Sequence, residues 1–99
     1  MILEVADIRI HPGQNAAFEE AAKKGVSTVI AKAKGFQNYR VSRGIESPQR
    51  YLLQIHWDSL EAHAAFRASP EFPQWRGFVG SFFAGPPTVE HFELVTKSD

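Results

Sequence analysis

The chain has 99 residues, room for one domain over 1–99 but not for two cores. A domain this small buries roughly 65% of the surface its unfolded chain exposes, so a partner surface would add stability. Eleven Lys and Arg balance eleven Asp and Glu, and cysteine is absent; this argues against nucleic acid and anionic membrane surfaces as partners and excludes disulfides, thiolate nucleophiles and Cys-held zinc, haem or iron–sulfur groups.

The first element expected is a strand over Ile2 to Ile10, rich in β-branched residues and ended by Pro12-Gly13. Alternation puts Ile2, Glu4, Ala6, Ile8 and Ile10 on one face and Leu3, Val5, Asp7 and Arg9 on the other. Both faces are partly apolar, so both should be covered. The opening segment has no basic stretch, and no apolar run nears the roughly 20 residues that span a bilayer, so a cytoplasmic protein is expected.

Phe18, Ala22, Val26, Val29 and Ala33 recur at spacings of three and four, which predicts an amphipathic helix over Asn15 to Lys34, capped by Asn15 and stopped at Gly35. Helix and strand are each about 30 Å long and match for lengthwise packing. Asn38 to Arg43 and Tyr51 to Trp57 read as two further strands, joined through Gly44 to Arg50 with a turn at Ser47-Pro48. Asp58, with Glu61 three residues on, predicts a capped short helix ending near Ala68. Pro70 fits the first turn of another helical segment carrying Phe72, Trp75, Phe78 and Val79.

Gly80 to Pro87 reads as a loop containing Phe82 and Phe83, Thr88 to Val95 as a fourth strand, and Thr96 to Asp99 as a polar tail. The order is then β, α, β, β, α, β, an α+β ferredoxin-like domain with a four-stranded antiparallel sheet. Two helices blanket only one face of such a sheet. An identical subunit is the economical cover for the other, which makes a homodimer forming a dimeric α/β barrel the expectation.

The stretch His56-Trp57-Asp58-Ser59-Leu60-Glu61-Ala62-His63, followed by Phe66, Ser69-Pro70-Glu71-Phe72 and Trp75, resembles the antibiotic-biosynthesis-monooxygenase family. There a strand ending in Trp leads into a Ser-x-Glu-Ala helix start and a Ser-Pro-x-Phe turn. The opening strand with Pro12-Gly13 and Phe18 is similar too, so the resemblance covers nearly the whole chain. Such domains include cofactor-independent oxygenases, haem-degrading enzymes and a small-molecule isomerase, and a shared fold does not choose among them. At the places where the haem-degrading relatives carry Asn, Trp and His, this chain has Asp7, Phe66 and Arg76, which argues against haem degradation.

The resemblance implies oxygenation without cofactor or metal: a phenol or enol loses a proton, and its anion gives an electron to dioxygen. That chemistry needs an apolar pocket, a proton acceptor and donors for the developing oxyanion. Asp7, His56, His63 and His91 are the acceptor candidates. Asp7 stands where the haem-degrading relatives point a polar residue into their cavity; the alternative is a structural pair with a cation such as Arg9. His56 and Trp57 end a strand on opposite faces, so at most one of them faces the helices. His63 is by default a half-exposed helix residue, and His91 lines either a pocket or the dimer interface.

Trp57, Phe66, Trp75, Arg76 and Phe83 are the substrate-binding candidates. Trp57 has the alternative role of a core anchor, and Arg76 of a surface cation. The aromatic cluster from Phe66 to Phe83 reads either as the second half of the core or as a mobile wall hinged at Gly77, Gly80 and Gly85. Three functions follow: a monooxygenase acting on a small aromatic or enolisable substrate, an isomerase or breakdown enzyme using the same proton transfer, or a dimeric ligand-binding domain without chemistry.

Overall fold

Alternation along the first strand decides the layering of the molecule. In the computed structural model, which describes residues 1–99, β1 (Ile2–Arg9) turns Glu4, Ala6 and Ile8 inward to buried positions, with Ile10 buried just beyond it. It leaves Leu3, Val5 and Asp7 half-buried on the other face. The remaining elements are α1 (Asn15–Thr28), β2 (Phe36–Arg43), β3 (Arg50–Trp57), α2 (Leu60–Arg67), α3 (Glu71–Val79) and β4 (Thr88–Glu93).

All strand pairs are antiparallel, in the order β2-β3-β1-β4. The ferredoxin-like α+β fold expected from the pattern is therefore present. Its helices cover one face, and the core lies between them and the sheet, with Trp57, Tyr51, Phe18, Ile10, Ile30, Ile55, Val26 and Val79 fully buried. No helix is long and apolar enough to cross a membrane.

Several local expectations are corrected. The first helix ends at Thr28 rather than Lys34, because Val29 (φ −118°, ψ −64°) leaves helical geometry and a tight 3₁₀ turn follows over Ile30–Lys32. Val29 and Ile30 are both buried. A continuing helix would splay these adjacent side chains about 100° apart. Asn15 does not cap α1, since its amide donates instead to the Pro48 carbonyl at 2.7 Å and the Tyr51 hydroxyl at 2.8 Å.

At the start of α2 the cap is Ser59, not Asp58. Ser59 is extended and its Oγ accepts the Ala62 N–H at 3.1 Å, while Asp58 accepts from the Gln37 amide. Pro70 precedes the first turn of α3 rather than lying in it. β2 starts two residues early, at Phe36, with a bulge before Asn38, and β4 stops at Glu93. The segment after α3 is tied down rather than loose. His11 N–H donates to the Phe82 carbonyl at 3.0 Å and Ala84 N–H to that of Arg9 at 2.7 Å.

Close packing of α1 on α3 depends on one missing side chain. A Cβ on Gly25 would stand 2.7 Å from Trp75 Cε3 and 3.2 Å from Phe78 Cβ. Gly77, also helical, has nothing within 4 Å of such an atom. Chemical denaturation should therefore show Gly25→Ala destabilised by about 1–3 kcal/mol through overpacking. Gly77→Ala should be unchanged or stabilised by up to about 1 kcal/mol through helix propensity.

Candidate active site

Glu4 is the one carboxylate on the apolar face of β1, and the sheet register decides its neighbours. It stands opposite Ile55 of β3 and His91 of β4, and only 6% of its surface is exposed. Trp57, fully buried at the end of β3, donates its indole N–H to Glu4 Oε1 at 2.9 Å. His63, brought down by α2, stacks on the Trp57 ring with centroids 5.1 Å apart and places Nε2 3.2 Å from the same oxygen. Its Nδ1 lies 2.7 Å from Nε2 of His91.

The tautomer that suits both neighbours has His63 presenting N–H toward the carboxylate and accepting at Nδ1 from His91 N–H. The contact is thus one of carboxylate with neutral imidazole rather than an ion pair. Burial holds His63 down from 6.5 to about 4, helped by the nearby His91 and Arg67. Burial likewise raises Glu4, against the lowering effects of the Trp57 hydrogen bond and the Arg67 charge. Glu4 Oε2 makes no protein hydrogen bond, yet no fully buried side-chain oxygen or nitrogen lacks a partner. That oxygen is therefore not fully buried, and Glu4 is among the residues that line the adjoining cavity.

The cavity measures about 180 Å³ and lies between the sheet and α2–α3. Ala6, Ile8, Leu53, Phe72, Trp75, Phe83, Pro87 and Val89 supply its apolar lining, and Glu4, His63, Arg67 and Arg76 its polar groups. A dry cavity of roughly 150 Å³ holds a benzene molecule, so the space suits one ring. Two larger depressions lie elsewhere. One, of about 510 Å³, adjoins Tyr51, whose hydroxyl is already engaged, donating to Glu19 at 2.6 Å and accepting from Asn15. The other, of about 480 Å³, lies between the end of α1 and α2 and contains no buried titratable group.

The sequence candidates divide accordingly. His63 and His91 come together, and His63 is buried rather than half-exposed. Trp75, Arg76 and Phe83 line the cavity. Trp57 does not; it is the core anchor behind Glu4. Phe66 packs against Trp57 at 5.8 Å and bounds the groove beside α1 instead.

Asp7 and His56 do not reach this site. The alternation that turns Glu4 inward turns Asp7 outward, where Arg50, rather than Arg9, grips it at 2.7–3.2 Å. Those Arg50 hydrogen bonds hold its carboxyl below the usual range. His56 shares that outer face and pairs with Asn38 at 2.8 Å. No group of three His, Asp or Glu residues is arranged to hold a metal ion.

Sequence reasoning missed Glu4. The available signal was a carboxylate interrupting an otherwise apolar face, a stronger anomaly than Asp7, whose face also carries Arg9.

The family model for antibiotic biosynthesis monooxygenases matches residues 1–77. The uncharacterised protein YczJ of Bacillus subtilis (strain 168) is 34% identical over 96 residues, spanning 96% of this chain and all of that protein. A candidate antibiotic biosynthesis monooxygenase from Bordetella bronchiseptica is 38% identical, with a TM-score of 0.90 over 96% of this chain and 97% of its own. Another from Caulobacter crescentus CB15, at 23% identity and a TM-score of 0.81 over 96% and 90%, shares the fold.

The buried imidazole gives a direct check. Its ring should stay neutral from pH 8 to 5 and protonate near 4, read by NMR; a midpoint at or above 6.5 would contradict the arrangement. Because the unfolded histidine binds its proton near 6.5, the contribution of His63 to stability is full above that pH. It is lost as pH falls toward 4, by up to about 3 kcal/mol. Glu4 opposes this, since its raised folded value favours the fold at low pH and that benefit fades as pH rises above 4.5. Denaturation of wild type against His63→Asn separates the two.

Proposed function

The chain belongs to the antibiotic biosynthesis monooxygenase family, and on that premise we propose that it oxygenates a small aromatic or enolisable compound without a cofactor, with Glu4 as the proton acceptor. The observation that carries this reading is the Glu4 carboxylate, made more basic by burial, with one oxygen engaged by Trp57 and the other without a partner, on a residue that lines a ring-sized, largely apolar cavity.

In this mechanism a phenolic or enolic hydroxyl gives its proton to Glu4 Oε2. The anion left behind is electron-rich and surrounded by apolar walls, with Arg67 available to balance its charge. It transfers an electron to dioxygen, and the two radicals combine at carbon. For a hydroquinone the balance is a hydroxyquinone plus water, one oxygen atom entering the ring and the other leaving as water. All the electrons come from the substrate, so no external reductant is required. His63 and His91 link Glu4 to solvent, because His91 is exposed on the edge strand β4. They are positioned to exchange its proton between turnovers.

The enzyme is further proposed to be a homodimer. The sheet face opposite the helices has no cover, yet carries Leu3, Val5, Leu52 and Phe92, the last 49% exposed. Packing that face against a second copy gives the closed barrel and buries the outward groups Asp7 and His56 at the interface. Sizing chromatography should give twice the mass of one chain; elution at the mass of a single chain would refute it.

Oxygen uptake with a panel of dihydroxyaromatics tests the chemistry. Glu4→Gln retains the size of the side chain and an acceptor for Trp57, and should lower uptake by about 10²-fold or more. Turnover at an unchanged rate without oxygen would point instead to an isomerase using the same base. Unimpaired uptake by the variant would remove Glu4 from the mechanism.

A further inference from the structure

The cavity's charge is not that of the molecule. Acidic and basic residues balance in the chain as a whole, whereas the cavity carries Arg67 and Arg76 against Glu4 alone, His63 being neutral. The ion pairs in the protein are Arg43 with Glu19 and Arg50 with Asp7, the Glu4 contact of His63 being with a neutral imidazole. Neither cavity guanidinium has a carboxylate partner.

The two arginines serve different ends. Arg67 stands one turn after His63 on α2 and so shares its end of the cavity, where its charge acts on both Glu4 and His63. Arg76 stacks over Phe83, with Cζ 5.2 Å from the ring centroid, and Phe83 bridges to Ile10. Glu4 and Ile8 bound the cavity floor along β1, about 13 Å of strand. The acceptor and the Phe83-held guanidinium thus approach one ring-sized space from opposite ends. Contact with the ring restrains the otherwise exposed Arg76 and leaves its N–H groups free to donate.

We propose that the substrate is a single-ring hydroxyaryl carboxylate, its hydroxyl directed to Glu4 and its carboxylate held by Arg76. This rests on the reading of Glu4 as the proton acceptor and supplies what that reading lacks, a group that orients the ring. An unpaired guanidinium at the far pole binds a carboxylate in a bidentate, charge-assisted manner. A ring so anchored presents its hydroxyl inward, an orientation that a neutral phenol of the same size reaches through its hydrogen bond to Glu4 alone.

Calorimetric binding of para-hydroxybenzoate against para-hydroxybenzamide, a neutral molecule of the same shape, tests the proposal. The acid should bind about tenfold or more tightly. Arg76→Gln should level the two, and Arg76→Lys should keep part of the preference. Equal affinities in the wild type, binding of neither compound, or a preference untouched in Arg76→Gln would each overturn it.

Oxygen uptake on gentisate and on hydroquinone separates this from the underlying reading. If hydroquinone is consumed in a Glu4-dependent way while the acid has no binding advantage, the anion pole falls and the acceptor stands. If the acid binds through Arg76 and neither compound consumes oxygen, the pole stands and the oxygenase falls.

Discussion

The hydrogen bond from the Trp57 indole to Glu4 is the contact on which both the core and the site depend. Leaving a carboxylate in an apolar layer without a partner costs several kcal/mol, enough to cancel much of the stability of a domain this size. Trp57 offsets part of that cost from within the core, donating from a fully buried position at 2.9 Å. The same ring stacks on His63 and packs against Phe36 and Phe66. Its removal would therefore take away the anchor of the strand-to-helix corner and the donor that keeps Glu4 in place. A charge this buried is a poor choice for stability alone, which is why it is read as chemical equipment.

The coarse architecture was legible because it rests on periodicity. Alternation at Ile2 to Ile10, the three-and-four spacing from Phe18 to Val26, and the turn residues at Pro12-Gly13 and Ser47-Pro48 each encode a local geometry that tertiary packing did not override. The failures lay where a local signal competed with a long-range one. Asn15 and Asp58 have good capping chemistry, yet long-range partners, Tyr51 and Gln37, claim their side chains. Val29 and Ile30 continue the helical pattern by composition, but both need the core at once.

The site was half legible for a related reason. Tyr51, Leu53, Ile55 and Trp57 mark the inner face of β3, so residues on neighbouring strands that share it could be named in principle. Which residue of β4 stands beside Glu4 is set by register, and a single residue's slip would have put Glu90 there instead of His91. The approach of His63 depends on how α2 crosses the sheet, which no local spacing encodes. Asp7 drew attention as a carboxylate in an apolar strand, and Glu4 was passed over although its whole face was apolar. Family resemblance carried the fold further than the chemistry, as expected where one scaffold serves several reactions.

The central claim is that Glu4 receives a substrate proton inside the ring-sized cavity. It is tested most directly by a crystal structure of the protein soaked with hydroquinone in the absence of oxygen. The account predicts the ring between Phe72, Trp75 and Phe83, with one hydroxyl oxygen about 2.6–3.2 Å from Glu4 Oε2. A ring bound in the groove beside α1, or one in the cavity with both hydroxyls turned away from Glu4, would contradict it.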